Sequence, residues 1–354
     1  MATQGSAQMS DLSQIPAAPS PPGITSNFDN PDNYKVDNII LHSVVLLFVT
    51  IAVVVRVYTR SVVKKTFGLD DYFAVLSWAL TMTQSILFAY VTRLGFGMHL
   101  WDIRASDTLY LFKIFSVALK VYMPTILAVK LCLLLGYHRV FHIDRKAKYA
   151  IWAGVVANTA FYVAFFLIDL FRCKPMAAAW NPTITAKKCI AYEFFPWATG
   201  VFNIISDFYI LLIPMPIIFH LNMSLAHRTR LIAIFGLGFF TCITSIMRLV
   251  STSQASANPD KLYMGAKYMH WPILEVNVGL ICACAITFPA FFDASLPSSF
   301  GSFISKLRAG TGSSGSRTEF NNMEPPGMRR QEWSSSSVGK SEYSVENKTV
   351  GNHV

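Results

Sequence analysis

Eight polar or charged residues stand inside long apolar runs and are the groups in this chain best placed to do chemistry: Lys113, Lys120, Asp169, Asn203, Asp207, Arg248, Glu275 and Asn277. Ionisable side chains at membrane depth are costly to bury and are functional candidates for that reason. Counting about 1.5 Å of rise per residue along each run estimates their depth. Lys113 is shallow and Lys120 half-way along the third run. Asp169 is near the end of the fourth, Asp207 half-way along the fifth, Arg248 near the end of the sixth, and Glu275 a turn into the seventh. These depths suggest three pairs: Lys113 with Asp169, Lys120 with Asp207, and Arg248 with Glu275. Asn203 lies a turn from Asp207 on the same helix face, and Asn277 lies near Glu275. Such a set serves either a polar cavity that binds a small molecule or a set of structural ion pairs. Catalysis would draw on Asp207 or Glu275 as a general acid, if its surroundings kept it protonated; no catalytic residue is assigned. Lys130 and Arg56 fall near the other end of their runs and read as snorkelling side chains.

The elements that must position these residues are transmembrane helices. The 354 residues are 53% hydrophobic and 14% charged, against about 25% charged in a soluble domain. That balance excludes an ordinary cytosolic enzyme and a mostly disordered chain. Runs near 38–59, 70–91, 110–136, 150–171, 196–221, 229–250 and 270–292 are each long enough for a hydrocarbon core of about 30 Å. The expected fold is all-α: a polytopic seven-transmembrane helix bundle over 38–292. Pro214 and Pro216 would kink the fifth run. The net charge of +10 sits in short blocks between the runs. The partner it implies is therefore the lipid bilayer and not nucleic acid.

Loops 60–69, 137–149 and 222–230 carry 9 Lys and Arg in 32 residues, whereas residues 1–37 and loops 92–109, 172–192 and 251–269 carry 9 in 95. The denser side is expected to be cytoplasmic, with the N-terminus outside and the C-terminus inside. Residues 1–37 read as a disordered extracellular tail with no signal peptide. Residues 293–354 read as a Ser-rich cytoplasmic tail, mostly disordered, with a short interfacial helix around Phe300, Phe303, Ile304 and Leu307 as one option. The sequons at Asn222 and Asn347 would then face the cytoplasm and stay unglycosylated.

Cys173 and Cys189 share an outer loop, where an oxidising environment favours a disulfide. Cys132, Cys242, Cys282 and Cys284 lie within runs and read as small packing residues. Asp70 and Asp71 follow Gly68 at the start of the second run. They suit a helix N-terminus, or a cytoplasmic contact that changes between states. Gly95, Gly97 and His99 mark an outer turn, with His99 as a candidate for an outer site. There is no Walker loop, no HExxH and no GxSxG, and no metal set. The seventh run has no lysine for a Schiff base, so neither retinal nor another cofactor is expected.

Taken in order, these residues resemble the fungal rhodopsin-domain family of integral membrane proteins, over about 40–292. The resemblance rests on Asp70-Asp71-Tyr72, Gly95-x-Gly97-x-His99, Lys130, Tyr137-x-Arg139-x-Phe141, Cys173-x-Pro175, Trp180 and Cys189. It continues through Asn203-x-x-x-Asp207, Pro214-x-Pro216, Phe235-x-x-Gly238, Arg248, Trp271, Glu275, Asn277 and Gly279. The chain departs from the family's Leu-Pro and basic residues after helix seven, and residues 1–37 hold none of the cysteines of the extracellular module that some relatives carry. The resemblance implies a receptor-like protein or a member of a secondary-metabolite pathway. A receptor would bind an external ligand and pass the signal through Asp70, Asp71, Arg139, Arg145 and Lys146 to a cytoplasmic partner such as a G protein. The alternatives are a cyclase-like membrane enzyme and an accessory or transport protein. The plasma membrane is the expected location.

Overall fold

Apolar side chains face outward and polar ones inward along the helices. In Lys35–Tyr58 (α1), Ile40, Val44, Leu47, Ile51, Val54 and Tyr58 recur every three or four residues and stay 47% to 60% exposed. Val49, Ala52, Val53 and Arg56 of the same helix are buried. A helix that shows its apolar face and hides an arginine is arranged for lipid as its solvent, since every backbone group is satisfied within the helix.

The architecture is that of a computed structural model, which describes residues 15–141, 144–181, 183–185, 187–190, 194–216 and 225–295, the backbone alone at 225–233 and 293–295. All of these fall in one compact unit, Met1–Ser299. After α1, a π-helical turn (Thr59–Val63) leads to Leu69–Arg93 (α2), Ala105–Val140 (α3) and Arg145–Leu170 (α4). Two short strands follow, Cys173–Lys174 (β1) and Lys188–Cys189 (β2). The remaining helices are Phe194–Leu212 (α5), Leu225–Ala257 (α6), Lys261–Tyr268 (α7), His270–Ala285 (α8) and Phe288–Ser295 (α9).

Among the described residues, six of the expected runs form helices long and apolar enough to cross a membrane, so the chain is a helical multi-pass membrane protein. The seventh run differs: it divides into α8, of 16 residues, and α9, with Ile286 and Thr287 between them. The fifth helix ends at Leu212, just before Pro214, because a proline disfavours helical backbone at the residue before it and supplies no N–H. The third helix runs from Ala105 to Val140, longer at both ends than its apolar core. A small antiparallel sheet, β1 with β2, interrupts an otherwise all-α fold.

Helix α3 packs on α2, α4 and α8, and α8 packs on α1 and α6. One apolar cluster gathers Val49, Ala74, Cys132, Leu134, Ile151 and Leu280. A second gathers Phe88, Phe96, Leu111, Ala118 and Ile273. The free cysteines Cys132, Cys242, Cys282 and Cys284 are all buried. At Gly200, α5 lies tight against α6: a Cβ there would stand 2.5 Å from Leu249 Cδ1.

Residues 15–34, expected to be part of a disordered tail, instead lie over the turn between α2 and α3. Ala17 N–H donates to the Ile103 carbonyl (2.9 Å), and Tyr34 N–H to that of Gly97 (3.3 Å). Asn27 N–H donates to Asp102 Oδ1 at 2.8 Å. The loop backbone offers unpaired groups there, and the segment satisfies them. Gly95 and Gly97 both have positive φ (120° and 98°) and make that turn. The tail beyond Ser295, its interfacial-helix option and both sequons lie outside the described residues.

Candidate functional site

A cavity of about 290 Å³ opens where α2 to α8 converge, along the N-terminal half of α3. Its size is near the lower bound of small-molecule clefts, roughly 300 Å³. Phe88, Phe115, Leu119, Phe195, Met269 and Pro272 supply apolar wall. Lys120, Tyr122, Asp169, Arg172, Arg248 and Lys261 are among its polar groups, with an amide from Gln84 and hydroxyls from Ser116, Thr199, Ser251 and Tyr268 beside them. Lys120 Nζ donates to Asp169 Oδ2 at 3.1 Å, and Arg172 Nε lies 3.6 Å from Asp169 Oδ1.

Beneath this cavity is a buried network. Arg248 Nε stands 2.7 Å from Glu275 Oε2, and Tyr122 Oη donates to the same oxygen at 2.9 Å. The amide of Asn203 donates to Glu275 Oε1 and, at 3.3 Å, to Asp207 Oδ2. Ser245 Oγ lies 2.9 Å from Glu275 Oε1 and also donates to Asp207. Tyr162 Oη donates to Asn203 Oδ1 at 2.7 Å. Lys130 Nζ donates to Asp207 Oδ1 and Ser206 Oγ, both at 2.5 Å, and to the Asn203 carbonyl at 3.2 Å. Two cations thus meet two carboxylates, with one asparagine amide between the carboxylates. Lys130, Asn203, Ser245, Arg248 and Glu275 are all buried. Pairing of this kind offsets part of the desolvation cost of the charges.

The expected pairing of Arg248 with Glu275 is present. The other two are corrected. Lys120 takes Asp169, and Asp207 takes Lys130, which had read as snorkelling near the far end. The cause is the length of α3. Its N-terminal end extends past the level at which α4 ends, so the carboxylates of α4 and α5 come level with lysines two to three turns further along. Lys113 is exposed and away from this network. Asn277 is buried, donates to the Ile273 carbonyl of its own helix (2.7 Å), and belongs to neither cavity nor network. Ser206, Ser245, Tyr122, Tyr162 and Arg172 were missed. The only signal for two of them was position: Ser206 adjoins Asp207, and Ser245 precedes Arg248 by a helical turn.

At the other end of α3, about 28 Å from Lys120 along the helix, a second cluster forms. Arg56 Nη2 lies 2.6 Å from Asp70 Oδ2, and its Nε 2.9 Å from Asp71 Oδ1. Its Nη1 donates to the Ala283 carbonyl at 2.6 Å. Arg139 Nη1 lies 3.2 Å from Asp70 Oδ1 and 3.5 Å from Asp71 Oδ2, and Arg60 flanks both carboxylates at 3.7 Å. Asp71 does cap its helix, accepting from Gly68 N–H at 3.0 Å. The helix-start reading of this Asp pair was therefore incomplete, and the snorkelling reading of Arg56 is overturned. Arg56 is 1% exposed and ties α1, α2 and α8 together.

The loop after α4 is closed by the Cys173–Cys189 disulfide. His99 is absent from the cavity wall. Its ring lies between those of Tyr263 (3.8 Å) and Trp101 (4.5 Å), and Nδ1 is 2.6 Å from Asp260 Oδ2. The neighbouring Tyr34, then partial burial and the Asp32 carboxylate, push the Tyr263 phenol above its usual range. No group of three or more His, Cys, Asp or Glu placed to hold a metal ion occurs among the described residues.

Residues 55–294 match the fungal rhodopsin domain, and the chain belongs to that family. Both charge clusters and the disulfide fall inside the matched region. Among curated relatives, the chain is 27% identical to Fugralins biosynthesis cluster protein 2 of Gibberella zeae, over 77% of this chain and 70% of that one. It is 30% identical to a SAT4 family membrane protein of Emericella nidulans, over 60% of this chain and 57% of that one. It is 25% identical to Receptor GIN3 of Arthrobotrys oligospora, over 79% and 70% of the two chains. No solved structure matches the chain.

Proposed function

We propose that this chain is a receptor-like protein of the plasma membrane that binds a small molecule from outside and signals to a cytoplasmic partner. The observation that carries the reading is the continuity of cavity and network. Arg248 and Tyr122 line the cavity, both meet Glu275, and Asn203 joins Glu275 to the Asp207–Lys130 pair. A ligand that favours one arrangement of Arg248 biases four helices at once, α3, α5, α6 and α8. In this reading α8 is the seventh span, with α9 extending it. The Lys- and Arg-dense loops face the cytoplasm, and the cavity faces outside. Arg139, Arg145 and Lys146 then present a basic surface to a partner such as a G protein. The likeness to a named receptor supports the reading. No chromophore is called for, since His270–Ala285 has no lysine.

The likeness to biosynthesis-cluster proteins favours a second reading, a membrane enzyme or an accessory protein for such a pathway. Asp207 and Glu275 are its candidate acids. Neither belongs to the cavity wall, and each faces a cation, which weighs against their giving a proton to a substrate. The test is an export profile of small molecules from a deletion strain and from one carrying Asp207→Asn with Glu275→Gln. The receptor reading expects no new precursor in either strain and loss in both of a transcriptional response to an external cue. A shared accumulated precursor would favour the enzyme or transport reading instead.

A further inference from the structure

Each charged group on the cavity wall already has a partner. Lys120 Nζ donates to Asp169 Oδ2 at 3.1 Å. Arg248 Nε stands 2.7 Å from Glu275 Oε2, with its guanidinium over the Tyr122 ring. Arg172 also reaches Asp169, at 3.6 Å, and neither it nor Lys261 is free. A charged molecule entering the cavity would give up its hydration and meet charges that are already paired. The hydroxyls differ among themselves. Thr199 and Thr252 turn their hydrogens onto carbonyls of their own helices, those of Phe195 (2.7 Å) and Arg248 (2.8 Å). Ser251 is the most deeply buried serine or threonine of the wall, 4% exposed, and among the described residues its side chain has no hydrogen-bond partner. Buried polar groups in folded proteins are almost always hydrogen-bonded, so a hydroxyl left open on a cavity wall marks where an occupant's polar atom belongs. The aromatic and aliphatic remainder of the wall takes a hydrocarbon body.

We propose that this cavity binds a neutral, largely apolar molecule that carries a carbonyl or hydroxyl oxygen. The oxygen accepts from Ser251 on α6, and the apolar body lies along Phe88, Phe115 and Phe195. A hydrocarbon of the same shape leaves the Ser251 hydroxyl unpaired. An anion or cation of the same shape brings a charge to a wall whose own charges are paired. The inference names the ligand class for the cavity of the receptor reading, and so rests on that cavity being a binding site but not on its signalling.

The experiment uses the full chain in phosphatidylcholine nanodiscs, with empty nanodiscs as the blank. Prodan, a neutral fluorescent naphthyl ketone, reports occupancy by its emission. Its competitors share the naphthalene body and one ring position: methyl naphthyl ketone, isopropenylnaphthalene, naphthoate and naphthylethylamine. Each is compared at its free concentration, after its uptake by empty nanodiscs is subtracted. The expected result is saturable prodan binding, displaced by the ketone at a concentration about fivefold below that of the hydrocarbon. The acid and the amine should need at least about tenfold more than the ketone. Ser251→Ala is expected to weaken the ketone by about fivefold and leave the hydrocarbon unmoved. If that variant fails to fold, the order of the competitors on the unaltered protein is the test. Ketone and hydrocarbon of equal potency, a ketone indifferent to Ser251→Ala, or no saturable signal would overturn the proposal. Saturable binding that prefers the acid or the amine would overturn it too, and leave the receptor reading standing. Ketone-selective binding, together with a shared accumulated precursor in the deletion strain and in the strain carrying Asp207→Asn with Glu275→Gln, would remove the receptor reading and leave this one standing.

Discussion

Lys130 and Asp207 form an ion pair between α3 and α5, with Nζ 2.5 Å from Oδ1 and the lysine side chain 3% exposed. A lone charge left at that depth is far costlier than the pair. Lys130→Met alone should therefore destabilise the protein by about 3–5 kcal/mol, and Asp207→Asn alone by a comparable amount. The double variant should recover a large part of the loss. Thermal unfolding of the four proteins in one detergent, read as a double-mutant cycle, checks this.

The Arg56 and Arg139 contacts to Asp70 and Asp71 differ in burial, 1% against 30% exposed for the two arginines. Arg56→Ala takes the nearest and most buried cation from two buried carboxylates, leaving them Arg139 and Arg60 at 3.2 to 3.7 Å, and leaves the Ala283 carbonyl without its donor. A loss of about 3–5 kcal/mol is expected, with little folded protein recovered. Arg139→Ala leaves Arg56 and Arg60 in place and should cost about 1 kcal/mol. Yield and melting temperature of the two variants should separate clearly.

Cys173 and Cys189 are 16 residues apart, so their bond closes a short loop worth about 3 kcal/mol by chain entropy. Cys173→Ser and Cys189→Ser should each lower the melting temperature by the same amount, and the double variant should cost no more than either single. Four free thiols should remain in the double variant, all of them buried in the native fold.

Gly200 lets α5 lie against Leu249 of α6. Gly200→Val should separate the two helices and disturb the Asn203–Ser245 contact, which is 3.1 Å across the same interface. A cost of about 1–3 kcal/mol is expected, checked by unfolding. Gly200→Val with Leu249→Ala should restore part of it.

Much of this arrangement was legible in the sequence because membrane helices announce themselves by length and apolar content. Six spans, the disulfide and the Arg248–Glu275 pair follow from composition, loop chemistry and depth. The pairings of Lys120 and Lys130 did not, because depth counting assumed that each helix begins at the same level. Helix α3 starts at Ala105, fifteen residues before Lys120, and so runs well past the level of Asp169 near the end of α4, which puts the paired lysines two to three turns further along than depth counting placed them. Arg56 was misread for a related reason. Snorkelling is the low-cost fate of an isolated arginine, but two aspartates from α2 arrive 14 and 15 residues later in the chain and bury it. The contacts of Ser206, Ser245, Tyr122 and Tyr162 depend on which helix faces which, information that no single run contains. Residues 15–34 are polar and Pro-rich, yet they are held by backbone groups of the α2–α3 turn, which composition does not report.

The cavity's access to the outside is the central claim, and Ser256 on its wall is the place to test it. Intact cells carrying Ser256→Cys would be treated with a membrane-impermeant maleimide, with Lys64→Cys, exposed at the far end of α1, as the control. The account predicts that Ser256→Cys labels in intact cells and that Lys64→Cys labels only after permeabilisation. Labelling of Lys64→Cys in intact cells, with Ser256→Cys silent until the membrane is opened, would contradict it.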